Sequence, residues 1–160
     1  MTTTTDTSAS MFRTRDEADA TYFFNALMTT VASTAETGGA YNLTEHLVTA
    51  ASNPPMHVQA DEDEAFYIID GVVEFEVDGQ VVVAQAGTFA FVARGAAHTF
   101  RVQTRTARML VICSGKPTDN LHEFFVDMGE PATTRALPDP AAPDLERLGR
   151  LCARTNIALV

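Results

Sequence analysis

Met56-His57-Val58-Gln59-Ala60-Asp61-Glu62-Asp63-Glu64-Ala65-Phe66-Tyr67 sets an imidazole, an amide and a carboxylate close together in the chain. His57 and Gln59 stand two positions apart, so on an extended segment both side chains leave the same face. The acidic run Asp61-Glu62-Asp63 suits an exposed turn, and Glu64 opens the next strand beyond it. A fourth donor, His98, follows a Gly-containing turn in Arg94-Gly95-Ala96-Ala97-His98-Thr99-Phe100. Two imidazoles, a carboxylate and an amide oxygen make a donor set suited to a borderline or hard divalent metal.

Short strands and turns continue on both sides of this stretch. Tyr22 to Ser33 reads as one strand, closed by Glu36-Thr37-Gly38-Gly39. Ala40 to Thr49 alternates Tyr41, Leu43 and Glu45 against Asn42, Thr44 and His46, so at most one of Glu45 and His46 points inward. His46 is read as a satisfied or surface histidine. Asn53-Pro54-Pro55 interrupts any ladder, because proline has no N–H to donate. Glu64 to Asp70 puts Glu64, Phe66 and Ile68 on one face. Asp78-Gly79 is a two-residue hairpin signal between 72–77 and 80–85. Ala86-Gly87, Arg94-Gly95 and residues 103–106 mark further turns. Eight or nine strands in this span predict an all-β sandwich or barrel.

The ends differ in character. Residues 1–10 are Thr- and Ser-rich without an apolar stretch, so a disordered tail is expected and a cleaved leader is not. Residues 11–130 hold the barrel and a short helix near 118–128, where Leu121, Phe124, Phe125 and Met128 recur at helical spacing. His122 on that helix is expected to be solvated. Residues 131–160 begin with a Pro-rich linker and end in a helix, with Leu145, Leu148, Leu151 and Cys152 on one face. That face would pack on the barrel or on a partner subunit.

Composition narrows the functional classes. At 160 residues, 46% hydrophobic and 20% charged, the chain suits one soluble globular domain. A net charge of -10 argues against nucleic acid and anionic membrane surfaces as partners. Cys113 and Cys152 have no metal-type spacing, and reduced, inert thiols in a cytoplasmic protein are expected.

The spacing of these residues resembles that of the cupins. His57, Gln59, Glu64 and Gly71 fall at the intervals of the first cupin motif, in which a second His stands at the place of Gln59. Gly87, Ala93, Gly95 and His98 fall at the intervals of the second. Ala51 and Ala93 replace a Gly and a Pro at backbone positions. The run from Glu36 to His46, the Pro54-Pro55-x-His57 entry, 63–67 and the C-terminal leucine helix are similar to the quercetin 2,3-dioxygenase-like single-domain cupins. This similarity covers roughly residues 20 to 160.

The resemblance implies a jelly-roll barrel, the double-stranded β-helix, with short C-terminal helices. It also implies a divalent metal (Fe, Ni, Mn, Co, Cu or Zn) held by His57, Glu64 and His98, with Gln59 at the fourth ligand position. A neutral amide oxygen is a poorer donor to borderline metals than imidazole, so Gln59 moves preference toward oxygen-tolerant ions. Glu64 would also be the catalytic base, with His98 as its acid–base partner. Phe66 and Phe100, two residues from Glu64 and His98, would line the substrate cavity, joined by Tyr41 and Met109. The implied activity is a dioxygenase acting on a flavonol, polyphenol or other enolisable aromatic compound, with dioxygen as co-substrate and a homodimer as the assembly. The alternatives are a non-oxidative cyclase, isomerase or dehydratase, in which Glu64 and His98 act as acid and base, and a non-catalytic small-molecule-binding protein.

Overall fold

Alternating burial along the strands folds the chain into two facing antiparallel sheets in the computed structural model, which describes residues 10–115, 124–125 and 128–160. The strands are β1 (Asp19–Phe23), β2 (Ala26–Ala32), β3 (Asn42–Val48), β4 (His57–Gln59), β5 (Glu62–Asp70), β6 (Val72–Val77), β7 (Gln80–Gln85), β8 (Phe89–Val92), β9 (Ala97–Val102), β10 (Ala107–Gly115), β11 (Glu130–Pro131) and β12 (Ile157–Leu159). One sheet runs β11-β1-β2-β3-β10-β5-β8 and the other β12-β4-β9-β6-β7. This is the all-β architecture expected from the spacing of strands and turns, in the jelly-roll form that the resemblance implied.

The interior follows the two-residue period. On β10, Met109, Val111 and Cys113 are buried, and on β5 Glu64, Phe66 and Ile68 are buried beside them. The rings of Phe66, Phe75 and Phe100 meet between the sheets, with centroids 4.9 to 6.3 Å apart. Such tilted ring pairs add to the stabilisation from apolar area removed from water. Asp78-Gly79 forms the expected hairpin turn, with both residues at positive φ (48° and 78°) and Val77 opposite Gln80.

Three stretches differ from the sequence expectation. Tyr22 to Ser33 is a hairpin, β1 and β2, joined by Phe24 (φ 49°) and Asn25 (φ 60°). No glycine announces the turn; Asn25 tolerates the left-handed region and is held there by donating to the carbonyls of Ala51 and Ala141, both at 3.0 Å. The acidic run is also not a free turn. Glu62 and Asp63 belong to β5, and Asp63 accepts from Arg94 through Nη2 at 2.6 Å and Nε at 3.1 Å. That pair ties the start of β5 to the turn ahead of β9. Finally, the Pro-rich linker contributes β11, paired with β1.

At the C-terminus, helix α1 (Leu145–Cys152) starts at Asp144, whose side chain accepts from Arg147 N at 2.8 Å. Leu148, Leu151 and Cys152 enter the same core as the barrel residues, while Leu145 at the start of the same face is 65% exposed. The chain then pairs β12 along β4. Phe124, Phe125 and Met128 are helical, while Leu121 and His122 lie outside the described residues. Among the described residues no helix is long and apolar enough to cross a membrane.

Candidate metal centre

The register between β4 and β9 sets His57 directly opposite His98, and the two rings stand 4.2 Å apart between centroids, tilted by 52°. Glu64 reaches the same point from β5 on the other sheet. One ligand atom from each of His57, Glu64 and His98 lies within 4.8 Å of the others. Each imidazole is pinned by its own backbone: Nδ1 of His57 donates to Pro55 O at 2.9 Å, and Nδ1 of His98 to Ala96 O at 3.0 Å. These bonds orient the rings and leave Nε2 as the atom offered to the centre.

Glu64 is the hub. Its Oε2 accepts from Gln59 Nε2 and faces His98 Nε2, both at 3.0 Å, and Cys113 Sγ lies 3.9 Å from Oε1. A carboxylate only accepts, so the amide atom that faces it is the NH2. The amide oxygen of Gln59 is then buried without a partner among the described residues. With Nδ1 of His98 donating to Ala96 O, the contact between Nε2 and Glu64 Oε2 holds one proton whenever a metal does not take its place.

The electrostatics agree with this geometry. Burial works to raise the Glu64 carboxyl, but the hydrogen bond and charge of His98, with smaller help from His57 and His46, bring it below its ordinary value. Burial works to lower His98, and its bond to Glu64 outweighs that and raises it. His57 is lowered by burial and by the like charge of His98. Burial also pushes the Cys113 thiol well up, which keeps it neutral beside Glu64.

A divalent metal fits these residues. Two oriented imidazole nitrogens and a carboxylate oxygen converge, a donor set suited to such an ion, and the Gln59 amide reaches the same carboxylate. Gln59 thus points at the centre, and in the hydrogen-bonded arrangement it presents its NH2 to Glu64.

A cavity of about 90 Å³ opens beside the centre. Phe66 and Phe100 line it, as expected from their two-residue offset from Glu64 and His98. Tyr41 and Met109 fall outside the lining. Tyr41 has the parity opposite to Asn42 and is 42% exposed on the outside; Met109 has inward parity but is fully packed in the core. His46 lines the cavity and is 4% exposed, so it is not a surface histidine. Alternation along β3 carried that signal, since an unpaired Glu45 inside would have been costly. The cavity walls contributed by Phe24, Phe125, Leu148, Ile157 and Leu159 come from short or C-terminal segments with no periodicity pointing at the centre.

Residues 44–113 match the Cupin_2 family model, described as a cupin domain. Over 108 residues the chain is 25% identical to a quercetin 2,3-dioxygenase of Bacillus subtilis, a match covering 66% of this chain and 31% of that enzyme. The chain therefore spans about a third of that relative's length. Among solved structures it is similar to a Thermotoga maritima protein described as a predicted oxalate decarboxylase, with TM-score 0.61 and 18% identity over 66% of this chain and 99% of that one. KdgF from Halomonas sp. gives TM-score 0.60 at 14% identity, over 71% of this chain and 98% of that one. A Streptomyces nucleoside dehydratase gives 0.54 at 12%, over 67% and 83%. From β3 to β10, the span that carries the His57–Glu64–His98 cluster, the chain is thus similar to a cupin domain, and its two-sheet jelly roll is the fold it shares with these solved structures.

Proposed function

We propose that the protein is a metal-dependent cupin oxidoreductase that acts on a flavonol, polyphenol or other enolisable aromatic compound. The observation that carries this reading is Glu64: a buried carboxylate below its ordinary pKa, at the polar end of a cavity whose other walls are mostly aromatic and aliphatic. Such a cavity suits a flat hydrophobic molecule with one acidic hydroxyl. The Bacillus subtilis relative supports the same substrate class.

Glu64 accepts the substrate's hydroxyl proton at a carboxylate oxygen. His57, His98 and Glu64 hold the metal, and Gln59 either adds its amide oxygen or keeps its NH2 on Glu64. When bound, a divalent metal supplies Lewis-acid stabilisation of the substrate oxyanion and, for a redox-active ion, a meeting place for dioxygen. Phe66 and Phe100 set the plane of the substrate and exclude water from the reacting end.

The weak amide donor at Gln59 favours one second reading: non-oxidative cyclisation, isomerisation or dehydration, with Glu64 as base and His98 as acid. Elemental analysis with oxygen uptake across a phenolic panel including quercetin separates the two. About one metal per chain with oxygen consumption supports the dioxygenase. Substoichiometric metal under every loading condition overturns it, and bound metal with a product of unchanged oxidation state selects the second reading.

The assembly that fits is a homodimer. Its contact is better sought at the sheet edges than at α1, most of whose apolar face is buried in its own barrel. Val81, Val82 and Val83 on edge strand β7 and Phe89 and Phe91 on edge strand β8 are all more than half exposed. Uncharged edges of this kind pair readily with a second copy. Two free cysteines suit a reducing cytoplasm.

A further inference from the structure

We infer that His46 is a second polar anchor of the cavity, donating from Nδ1 to an acceptor oxygen on the part of the ligand remote from the metal centre. The inference rests on the reading of the cavity as an aromatic-ligand site and adds what the far end of that ligand must carry.

His46 lies on β3 with its side chain inward, between Thr44 and Val48, and it lines the same cavity as His57, Glu64 and His98. Its Nε2 is 2.9 Å from Thr44 Oγ1, while its Nδ1 is buried without a partner. Thr44 Oγ1 has one proton and can also accept, so it either donates to Nε2 or accepts from Nε2–H while donating to Val111 O at 3.5 Å. The inferred anchor corresponds to the first arrangement, in which the hydroxyl proton goes to the shorter contact. A neutral ring that accepts at Nε2 carries its hydrogen on Nδ1. Burial lowers the pKa of His46 to about 4, which keeps the ring neutral near pH 7.

Buried donors without acceptors are rare in folded proteins. Among the described residues none supplies His46 with an acceptor: Phe125 meets the ring edge-on with centroids 5.7 Å apart, and Phe23, Met28 and Val48 share the wall. A ligand would bring that acceptor.

Register places this anchor relative to the centre. Glu64 pairs with Cys113, which pairs with Asn42; His46 pairs with Met109, which pairs with Ile68. His46 is therefore two strands across from Glu64 and four residues along, roughly 10 Å and 13 Å on the backbone. Both side chains lean into the lumen and shorten that gap, and Phe66 lies between them on the wall. A ligand that meets both groups has to bridge that gap. The ligand class is an aromatic compound with an enol or phenol at one end and a carbonyl, phenolic or ether oxygen at the other.

Calorimetric titration of the metal-loaded full chain with 3-hydroxyflavone and its 4′-methoxy derivative tests this directly. The two probes share the end that meets Glu64 and differ only in the remote acceptor. His46→Phe should weaken the methoxy compound about tenfold and the parent less than twofold, and His46→Gln, which keeps an N–H donor, should restore most of the loss. An equal loss for both probes, or no loss for either, overturns the anchor while leaving the aromatic-ligand reading in place. Failure of wild-type protein to bind either probe overturns both. A measurement free of any variant guards against misfolding: nitrogen-15 histidine spectra of the wild-type protein should show His46 protonated at Nδ1. Protonation at Nε2 contradicts the assignment.

Discussion

Gln59 donates to Glu64 through Nε2 and leaves Oε1 buried without a partner, so this one side chain sets how strongly the centre competes for metal. Gln59→His restores a third imidazole and should tighten metal binding by about tenfold or more, read by competition with a chelator of known affinity. Unchanged affinity would mean that position 59 does not reach the ion. His46 gives a separate prediction, in stability. Its pKa is about 4 when folded against 6.5 for the ordinary group, so the unfolded chain binds the extra proton between these values. The contribution of the neutral buried ring is therefore full above about pH 6.5 and is drained as the pH falls toward 4. Near pH 4 the loss is on the order of 3 kcal/mol or less. In His46→Leu the denaturation midpoint should fall less steeply with acid across that window; an identical slope would place His46 outside the acid response. The ligand triad was legible because motif intervals mirror ladder register. The direction of the Gln59 amide and the orphan nitrogen of His46 were not, since both depend on partners from distant strands.

Short elements with no sequence signature of their own decide how the triad is held. Strand β12 is only Ile157–Leu159, yet it pairs residue for residue with the strand that carries His57 and Gln59. Removing residues 157–160 should speed amide exchange at 57–59 and weaken metal binding, with the β5 amides unaffected. Retained protection at 57–59 would show that β4 holds its place without β12. Gly71 ends the first motif at φ 85°, and a Cβ there would meet Thr106 O at 2.6 Å and Ala107 Cα at 2.8 Å, both backbone atoms. Gly71→Ala should cost roughly 3 kcal/mol or more, through left-handed strain and a clash that cannot relax. Gly79→Ala, with φ 78° and open space around it, should cost only about 1 kcal/mol. Equal losses in chemical denaturation would remove the clash from the explanation. At this scale alternation located β3, β5 and the β6–β7 hairpin. It missed the turn at Phe24 and Asn25, because the turn is made by tertiary hydrogen bonds to Asn25 and by no glycine.

For the molecule as a whole, the order of strands and turns was enough to read an all-β sandwich or barrel, since a two-residue period closed by Gly and Pro turns leaves few other ways to bury the apolar face, and the motif intervals narrowed it to a jelly roll. The closure of the cavity by α1 and β12 was not readable, because a leucine-faced helix is equally suited to a partner. For the proposed homodimer the contact surface is the exposed apolar edges at β7 and β8, and light scattering on wild type and a Val82→Lys, Phe89→Lys variant checks it. The wild type should be dimeric and the variant monomeric, whereas a dimer in both would move the interface elsewhere. On the proposed reading, His57, Glu64 and His98 hold one divalent metal inside this barrel. Titration of metal-free protein with Mn, Fe, Co, Ni and Zn ions, alongside Glu64→Gln and His98→Ala, tests it most directly. The expected result is one site per chain in the wild type and at least hundredfold weaker binding in both variants; affinity that is equal in all three proteins, or no binding in the wild type, would contradict it.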